Sequence, residues 1–383
     1  MTDAQAIIDR VNQKFGANYL MRASDQKFQV SYLPTGLAPI DDLLMGGIPY
    51  GRSTMIHGDF STLKTYIGLC AIAQAQKQGK VAALIDTERS FDPHWASSLG
   101  VDTDALILPP PDHIETGERA IDAAEILIRN GVDLLMFDSV AAALPKSEHE
   151  KKMDESGQML RQAAMMTKAL RKLTAANRTT ALLWINQTRV NPNIMFGNPE
   201  AIPGGKALPF YSTYILGLYK GTQIQEDVPV YVTDKEGKPV KKNIKRVIGY
   251  EIRARLYKSK LNQPGREETF VYSAKQGAVD DWSYLANKAL SNGLLGYERG
   301  RWWTPEDGKR MTQSEFRGHL PLPELKKLLH GTVDGVDSAG SAPRGSKKAA
   351  QPKEKSSRTT ARARTPTAAP VPSRSTVRLR KQS

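Results

Sequence analysis

The sequence predicts an α/β fold with a central, mostly parallel sheet flanked by helices, and three observations carry that expectation. From Gly51 to Asn186, short apolar runs alternate with longer amphipathic segments. The runs are apolar throughout rather than at every second residue, which is the pattern of strands covered on both faces. After them the connections shorten and carry turn signals such as Lys235-Glu236-Gly237, the mark of antiparallel strands added to the same sheet.

Residues 4–15 place Ile7, Ile8, Val11 and Phe15 at helical spacing, one apolar stripe on a short helix. A helix of that length is marginal alone and needs a surface to dock on. Its own domain or a neighbouring subunit would serve, and periodicity leaves both open. "STMIHG" is the first buried strand, and a helix follows as far as Lys80. "VAALID", a helix near 116–130, "VDLLMFD", a helix from about 157 to 176, and "TALLWIN" continue the alternation. "YILGLYKG", "VYVTD", "VIGYEIRARLYKSK" and "ETFVYSA" read as antiparallel strands. Residues 281 to about 330, with "YLANKALSNGLL" and "LPELKKLLH", read as a small α-rich domain around a Trp302-Trp303 hairpin. After Gly331 the chain is Ser, Ala, Pro, Thr, Arg and Lys with hardly a large apolar residue, so burial cannot offset ordering entropy and disorder is expected. There are no internal repeats.

The 383 residues leave room for one large core and a smaller domain. The net charge of +14 points to an anionic partner, of which nucleic acid is the usual one for a basic protein. Much of that charge is local. From Ser338 onward there are twelve basic residues and one acid, Glu354, so +11 lies in the tail and +3 on everything before it. The single cysteine, Cys70, excludes an internal disulfide; among Ile67, Leu69 and Ile72 it reads as core filler. No run approaches the ~20 apolar residues of a membrane span and the N-terminus lacks an apolar signal region, so no membrane partner and a cytoplasmic location are expected.

"GDFSTLKT", residues 58–65, follows the first strand and opens a helix. It matches the phosphate-binding pattern G-x-x-x-x-G-K-[ST] at Gly58, Lys64 and Thr65, with Leu63 where the second glycine belongs. Backbone N–H groups would wrap phosphates, Lys64 would meet their oxygens, and Thr65 would offer a hydroxyl to Mg²⁺. Leu63 removes none of those amides, and costs about 1–2 kcal/mol if the loop needs a left-handed residue there. "VDLLMFDSV" ends a buried strand with Asp138, placed to hold the metal's water shell beside Thr65, or simply to cap the next turn. "VAALIDTERSFDP" ends another with Asp86 and Glu88, and Glu88 is the candidate for orienting and deprotonating an attacking water. "WINQTR" delivers Asn186, Gln187 and Arg189 to the same sheet edge. Ligands bind at the carboxyl ends of such strands.

These residues and several longer stretches identify a resemblance. "VNQKFGANYLMR", "LPTGLAPIDDLLMGGIPYGR", "IDTERSFDPHWASSLGV", "VDLLMFDSVAAALPKSE", "LRKL" and above all "INQTRVNPNIMFGNPEAIPGGKALPFY" resemble the RecA family of DNA recombinases, in a divergent, phage-type form, from about Asp9 into the 320s. The resemblance implies a P-loop NTPase with a RecA-like core at 33–275, an N-terminal docking helix and linker at 1–32, a small C-terminal domain at 276–330 and a basic tail at 331–383. It implies ATP and Mg²⁺ as cofactors. Gly58, Asp59, Phe60, Ser61, Thr62, Leu63, Lys64, Thr65 and Tyr66 would form the nucleotide loop, with Thr65 and Asp138 on the metal and Glu88 as catalytic carboxylate. Asp92 and Trp95 match the adenine-contacting segment, with Trp95 where the family commonly has Tyr. Gln187 matches the γ-phosphate sensor leading into a DNA-binding loop at about 188–205. A first DNA loop would lie near His149–Met159.

Single-stranded DNA would then meet Met159, Thr167, Arg171, Arg189, Val190, Pro192, Gly204, Gly205 and Lys206, mixing phosphate contacts with apolar wedging; taken alone, each cation reads equally as part of a solvated helix face. Lys258 and Lys260 match the pair that reaches the ATP of the adjacent subunit in a helical filament, and Phe210 becomes an interface candidate. The implied function is ATP-dependent strand exchange between single-stranded DNA and a homologous duplex, in a bacterium or, for a phage gene, in the host cytoplasm. Alternatives are a DNA-coating filament protein with little turnover, on account of Leu63, and a hexameric helicase-like motor. Two departures stand out: Leu63, a slot where phage relatives also carry a bulky residue, and a basic tail where the family ends acidic. A basic arm is expected to recruit duplex DNA in a salt-sensitive way.

Overall fold

The computed structural model describes residues 3–25, 29–149, 158–190, 200–233 and 239–330, all within one compact unit, Met1–Asp334. The tail, most of the expected first DNA loop and the middle of the second, including Pro192, lie outside the described residues, as do the side chains of Met159, Arg189 and Val190.

Strands β1 (Tyr32–Leu33) and β2 (Ile48–Pro49) form a short antiparallel pair. The central sheet contains β3 (Ser53–Gly58), β4 (Ala82–Asp86), β5 (Leu134–Asp138) and β6 (Ala181–Gln187). A small pair, β7 (Arg189–Val190) with β8 (Glu200–Ala201), precedes its second half: β9 (Tyr214–Thr233), β10 (Pro239–Ser259), β11 (Glu267–Ser273) and β12 (Ala278–Val279). Its order is β12-β11-β10-β9-β3-β6-β5-β4. A last hairpin joins β13 (Gly296–Glu298) to β14 (Arg301–Trp303). The helices are α1 (Ala4–Phe15), α2 (Ala38–Leu43), α3 (Lys64–Lys77), α4 (Pro93–Ser98), α5 (Gly117–Arg129), α6 (Lys146–His149), α7 (Gln158–Ala176), α8 (Ala207–Tyr211), α9 (Asp281–Ser291), α10 (Gln313–His319) and α11 (Leu322–His330).

The apolar strands are apolar throughout because their alternate side chains enter two different cores. Ile56, Leu134, Met136, Leu183 and Ile185 join Ile67 and Leu69 of α3 on one face. Met55, Leu135, Phe137, Leu182 and Trp184 join Ile121 of α5 and Leu170 of α7 on the other. The C-terminal segment is continuous with the first core: Trp302 stacks on Phe316 at 6.1 Å between ring centres, and both belong to that cluster. Helix α1 is different. It has no buried residue, and its Ile7 and Phe15 are exposed; the Phe15 ring stacks on Tyr19 at 4.8 Å between centres, so the stripe is covered only locally.

The antiparallel half departs from the expected strand list. "YILGLYKG" and "VYVT" belong to one strand, β9, which runs parallel to β3 while pairing antiparallel with β10. The long connection after Gln187 allows that crossover, so the parallel set has β9 as an additional member. Beyond Gly249, where β10 leaves β11, the outer parts of β9 and β10 pair with each other and project as a ribbon with Val240 and Ile244 exposed.

Candidate nucleotide and DNA site

Parallel pairing puts the ends of four strands at one edge: Gly58 lies beside Gln187, and Asp86 beside Asp138. The phosphate loop leaves β3 at Gly58, where a Cβ would come within 2.5 Å of the Leu218 carbonyl oxygen and 2.7 Å of Thr62 Oγ1. Glycine is required there by space. At Leu63 the requirement is conformational: φ is 70° and ψ 19°, the left-handed region, and Ser61 has φ 57°. Leucine thus carries the strain that a glycine would avoid, about 1–2 kcal/mol. Its half-buried side chain packs against the core that holds α3, which offsets part of that cost.

Lys64 Nζ donates to the Asp59 carbonyl at 2.6 Å, and Thr62 Oγ1 to the same oxygen at 2.8 Å. Burial lowers the Lys64 pKa, against the pull of Asp138, Glu88 and Asp59. The N–H groups of the first turn of α3 have no helical partner and form a ready cradle for an anion. Tyr66 contributes to that cradle through its backbone only. Its ring is buried edge-on to Tyr272, and its hydroxyl accepts from Val279 N at 3.2 Å.

Thr65 Oγ1 donates to Asp138 Oδ2 at 2.7 Å. The carboxyl of Asp138 is turned to this loop, while the turn that follows starts at Ser139 without a side-chain cap. Only 3 % exposed, Asp138 has its pKa pushed up to about 7, above all by burial; the Thr65 bond opposes this, and the Glu88 and Asp86 charges add to it. A hydroxyl beside a buried carboxyl is a pair of oxygen donors of the kind that fits Mg²⁺. Among the described residues no group of three or more His, Cys, Asp and Glu could hold a metal.

Glu88 stands between two strand ends, accepting Gln187 Nε2 at 2.8 Å and a short bond from Ser139 Oγ, both on Oε1. Asp86 shapes the turn that presents it, accepting from the backbone N–H groups of Glu88 at 3.1 Å and of Ser90 and Phe91 at 2.8 Å. Asp92 caps α4 through His94 N and Trp95 N, and leaves the Trp95 ring part-exposed. Lys258 and Lys260 are drawn elsewhere. Lys258 Nζ donates to the Pro209 and Phe210 carbonyls at 2.6 and 2.8 Å, and Lys260 Nζ to Phe210 at 3.3 Å, so both sit at the C-terminal end of α8. Burial, and secondarily Lys260, lowers the Lys258 pKa. The Phe210 ring is 73 % exposed beside them.

Of the DNA candidates, Thr167, Arg171 and Lys206 are exposed, and Thr167 Oγ1 donates back to Ala163 at 2.7 Å. Gly204 and Gly205 have φ of 88° and 73°, and a Cβ on Gly205 would meet Ala163 Cβ at 2.6 Å. Asn186 pins this end of the loop by donating to the Pro203 carbonyl at 2.9 Å. Sequence reasoning did not identify Ser139, the turn-shaping role of Asp86, or the pairing of His57 with Thr188. For the last, the available signal is a titratable side chain, His57, inside the run "STMIHG" that reads as a buried strand.

Comparison with known proteins places the chain in a family. The RecA N-terminal domain family matches residues 3–277. Protein RecA of Thermus aquaticus is 38 % identical over 325 residues, covering 83 % of this chain and 88 % of the relative. Protein RecA of Francisella tularensis subsp. tularensis (strain WY96-3418) is 35 % identical over 361 residues, covering 90 % and 94 %.

Proposed function

Because this chain belongs to the RecA family, it is a recombination and repair protein, and we propose that it hydrolyses ATP in response to single-stranded DNA and exchanges strands with a homologous duplex. The observation that carries this reading is the Gln187 Nε2 to Glu88 Oε1 bond of 2.8 Å. It ties the candidate base to the residue immediately before the 188–205 loop. The loop amides and Lys64 bind the phosphates, and Thr65 and Asp138 hold Mg²⁺. That ion, when bound, neutralises charge on the phosphate oxygens. Glu88 orients water and accepts its proton. Gln187 Nε2 carries two protons and gives one to Glu88; turning the amide to face a γ-phosphate would lengthen or break that bond. Nucleotide therefore selects between two arrangements of the strand end and of the loop that follows.

The exposed stripe of α1 docks on a neighbouring subunit in a helical filament, and Lys258 and Lys260 move from the α8 carbonyls to that neighbour's nucleotide. Trp95 supplies an aromatic face to adenine. Thr167, Arg171 and Lys206 follow the DNA backbone. No helix among the described residues is long and apolar enough to cross a membrane, and a cytoplasmic site of action completes the proposal.

ATP hydrolysis and strand exchange, measured with and without single-stranded DNA, test the reading. Wild type should be stimulated by DNA, and Lys64→Ala and Glu88→Gln should each lose about 100-fold or more in turnover. DNA binding without turnover in the wild type would favour a DNA-coating filament protein, the reading that Leu63's left-handed backbone keeps open.

A further inference from the structure

His57 is an imidazole inside a fully buried strand, one residue before the phosphate loop and 4 % exposed. Nothing in the chemistry above uses it. Its Nδ1 lies 3.1 Å from Thr188 Oγ1, and Thr188 is the first residue after the strand that ends in Gln187. The Thr188 backbone N–H donates to the Gly58 carbonyl, also at 3.1 Å. Thr188 is thus held twice to the strand that carries the phosphate loop, by main chain to Gly58 and by side chain to His57. On its other side the His57 ring meets Tyr257 at 5.6 Å between centres, and its Nε2 would lie 3.1 Å from a Cβ placed on Gly217. Glycine at 217 thus leaves clear the space beside the ring, which packs against β10 through Tyr257. Burial, aided by Lys64, keeps it uncharged at neutral pH. A neutral imidazole has one donor and one acceptor nitrogen, and the Thr188 hydroxyl can complement either tautomer.

We propose that His57 is a positioning residue that fastens the start of the 188–205 loop to the phosphate-loop strand through Thr188. The loop is then anchored at both ends by buried polar side chains, His57 at its start and Asn186 at Pro203. The two anchors differ in what they transmit. Asn186 joins the loop to its own strand, whereas His57 joins it to the strand whose next residue, Gly58, begins the phosphate cradle. A shift of that strand end is carried to the loop without passing through Gln187, giving a second connection beside the Gln187–Glu88 bond. The inference rests on the reading that nucleotide controls DNA affinity.

The test is the ratio of single-stranded DNA affinity measured with a non-hydrolysable ATP analogue to that measured with ADP. Thr188→Val keeps the shape and removes the hydroxyl; Thr188→Ser keeps the hydroxyl; His57→Phe keeps a ring without the bond. Thr188→Val and His57→Phe should each lower the ratio about five- to tenfold, the equivalent of one hydrogen bond. The double variant should fall no further than either single, and Thr188→Ser should retain the wild-type ratio. Should His57→Phe fail to fold, the Val and Ser variants at Thr188 decide the matter. A wild-type ratio in Thr188→Val, or equal losses in Val and Ser, would overturn this inference and leave the functional reading standing. A wild type whose DNA affinity ignores the nucleotide would overturn the functional reading itself, and the inference with it.

Discussion

At the β3–β6–β5–β4 end of the sheet the strands are packed on both faces, whereas the outer parts of β9 and β10 pair with each other and leave Val240 and Ile244 in solvent. The packed end carries the candidate chemistry at its strand ends. Helices on both faces fix its register, so the main chain leaving Gly58 and the side chains of Asp86, Asp138 and Gln187 each have one place to go. The ribbon is held by its ladder, and that ladder shifts register at Val247/Gly249 and Tyr250/Ile252, where the ribbon leaves the sheet. Burial on both faces is what positions the candidate site, and the ribbon lacks it.

The comparison breaks most readily in the packed half. Phe137 is fully buried with its ring 5.0 Å from that of Trp184, so Phe137→Ala should cost about 3–5 kcal/mol in urea unfolding. A loss below about 1 kcal/mol would mean the second core is not packed as described. Next comes pH. His57 is held near 4 against an ordinary 6.5, chiefly by burial and then by Lys64. The folded chain therefore binds this proton more weakly than the unfolded chain does. The contribution to stability is fully present above 6.5 and falls as pH drops through 4, by about 3 kcal/mol at pH 4. The stability gap between wild type and His57→Phe should shrink by that amount between pH 7 and pH 4, and a gap independent of pH would show the ring to be solvated. Taking the difference between the two proteins removes the buried carboxyls, Asp41, Asp138 and Asp281, whose raised pKa values act in the opposite sense.

Leu63→Gly should change stability by no more than about 1 kcal/mol, since relief at φ 70° and loss of a half-buried side chain oppose each other. It should alter the kinetics of ATP turnover without being needed for it; hydrolysis confined to the glycine variant would reverse the account of this loop. The smallest effect belongs to the ribbon. Ile244→Ser should stay within about 0.5 kcal/mol in unfolding of the isolated protein, and a larger loss would reveal a surface covering this face.

The α/β class and its packed strands were legible because periodicity is a local property. "STMIHG" runs Ser53–Gly58, and "VAALID", "VDLLMFD" and "TALLWIN" lie within two residues of β4, β5 and β6. The antiparallel half was less legible: amphipathic runs show that strands exist, but β9's parallel partner depends on a crossover that no local pattern records. Candidate residues at strand ends could be named from motif and spacing, since a strand that ends at an edge presents its last residues there. The left-handed backbone that makes Leu63 costly was likewise foreseeable from the motif's missing glycine.

The fold class, the family, and which polar groups leave the buried strands are all present in the order of the amino acids. Only the tertiary structure decided their partners. The bond from Thr65 to Asp138 spans 73 residues, that from Gln187 to Glu88 spans 99, and that between His57 and Thr188 spans 131. It also turned the Tyr66 ring into the core and placed Lys258 and Lys260 on the carbonyls of α8. The physical reason is that strand order and packing set which side chains meet, and neither propensity nor periodicity extends over such separations.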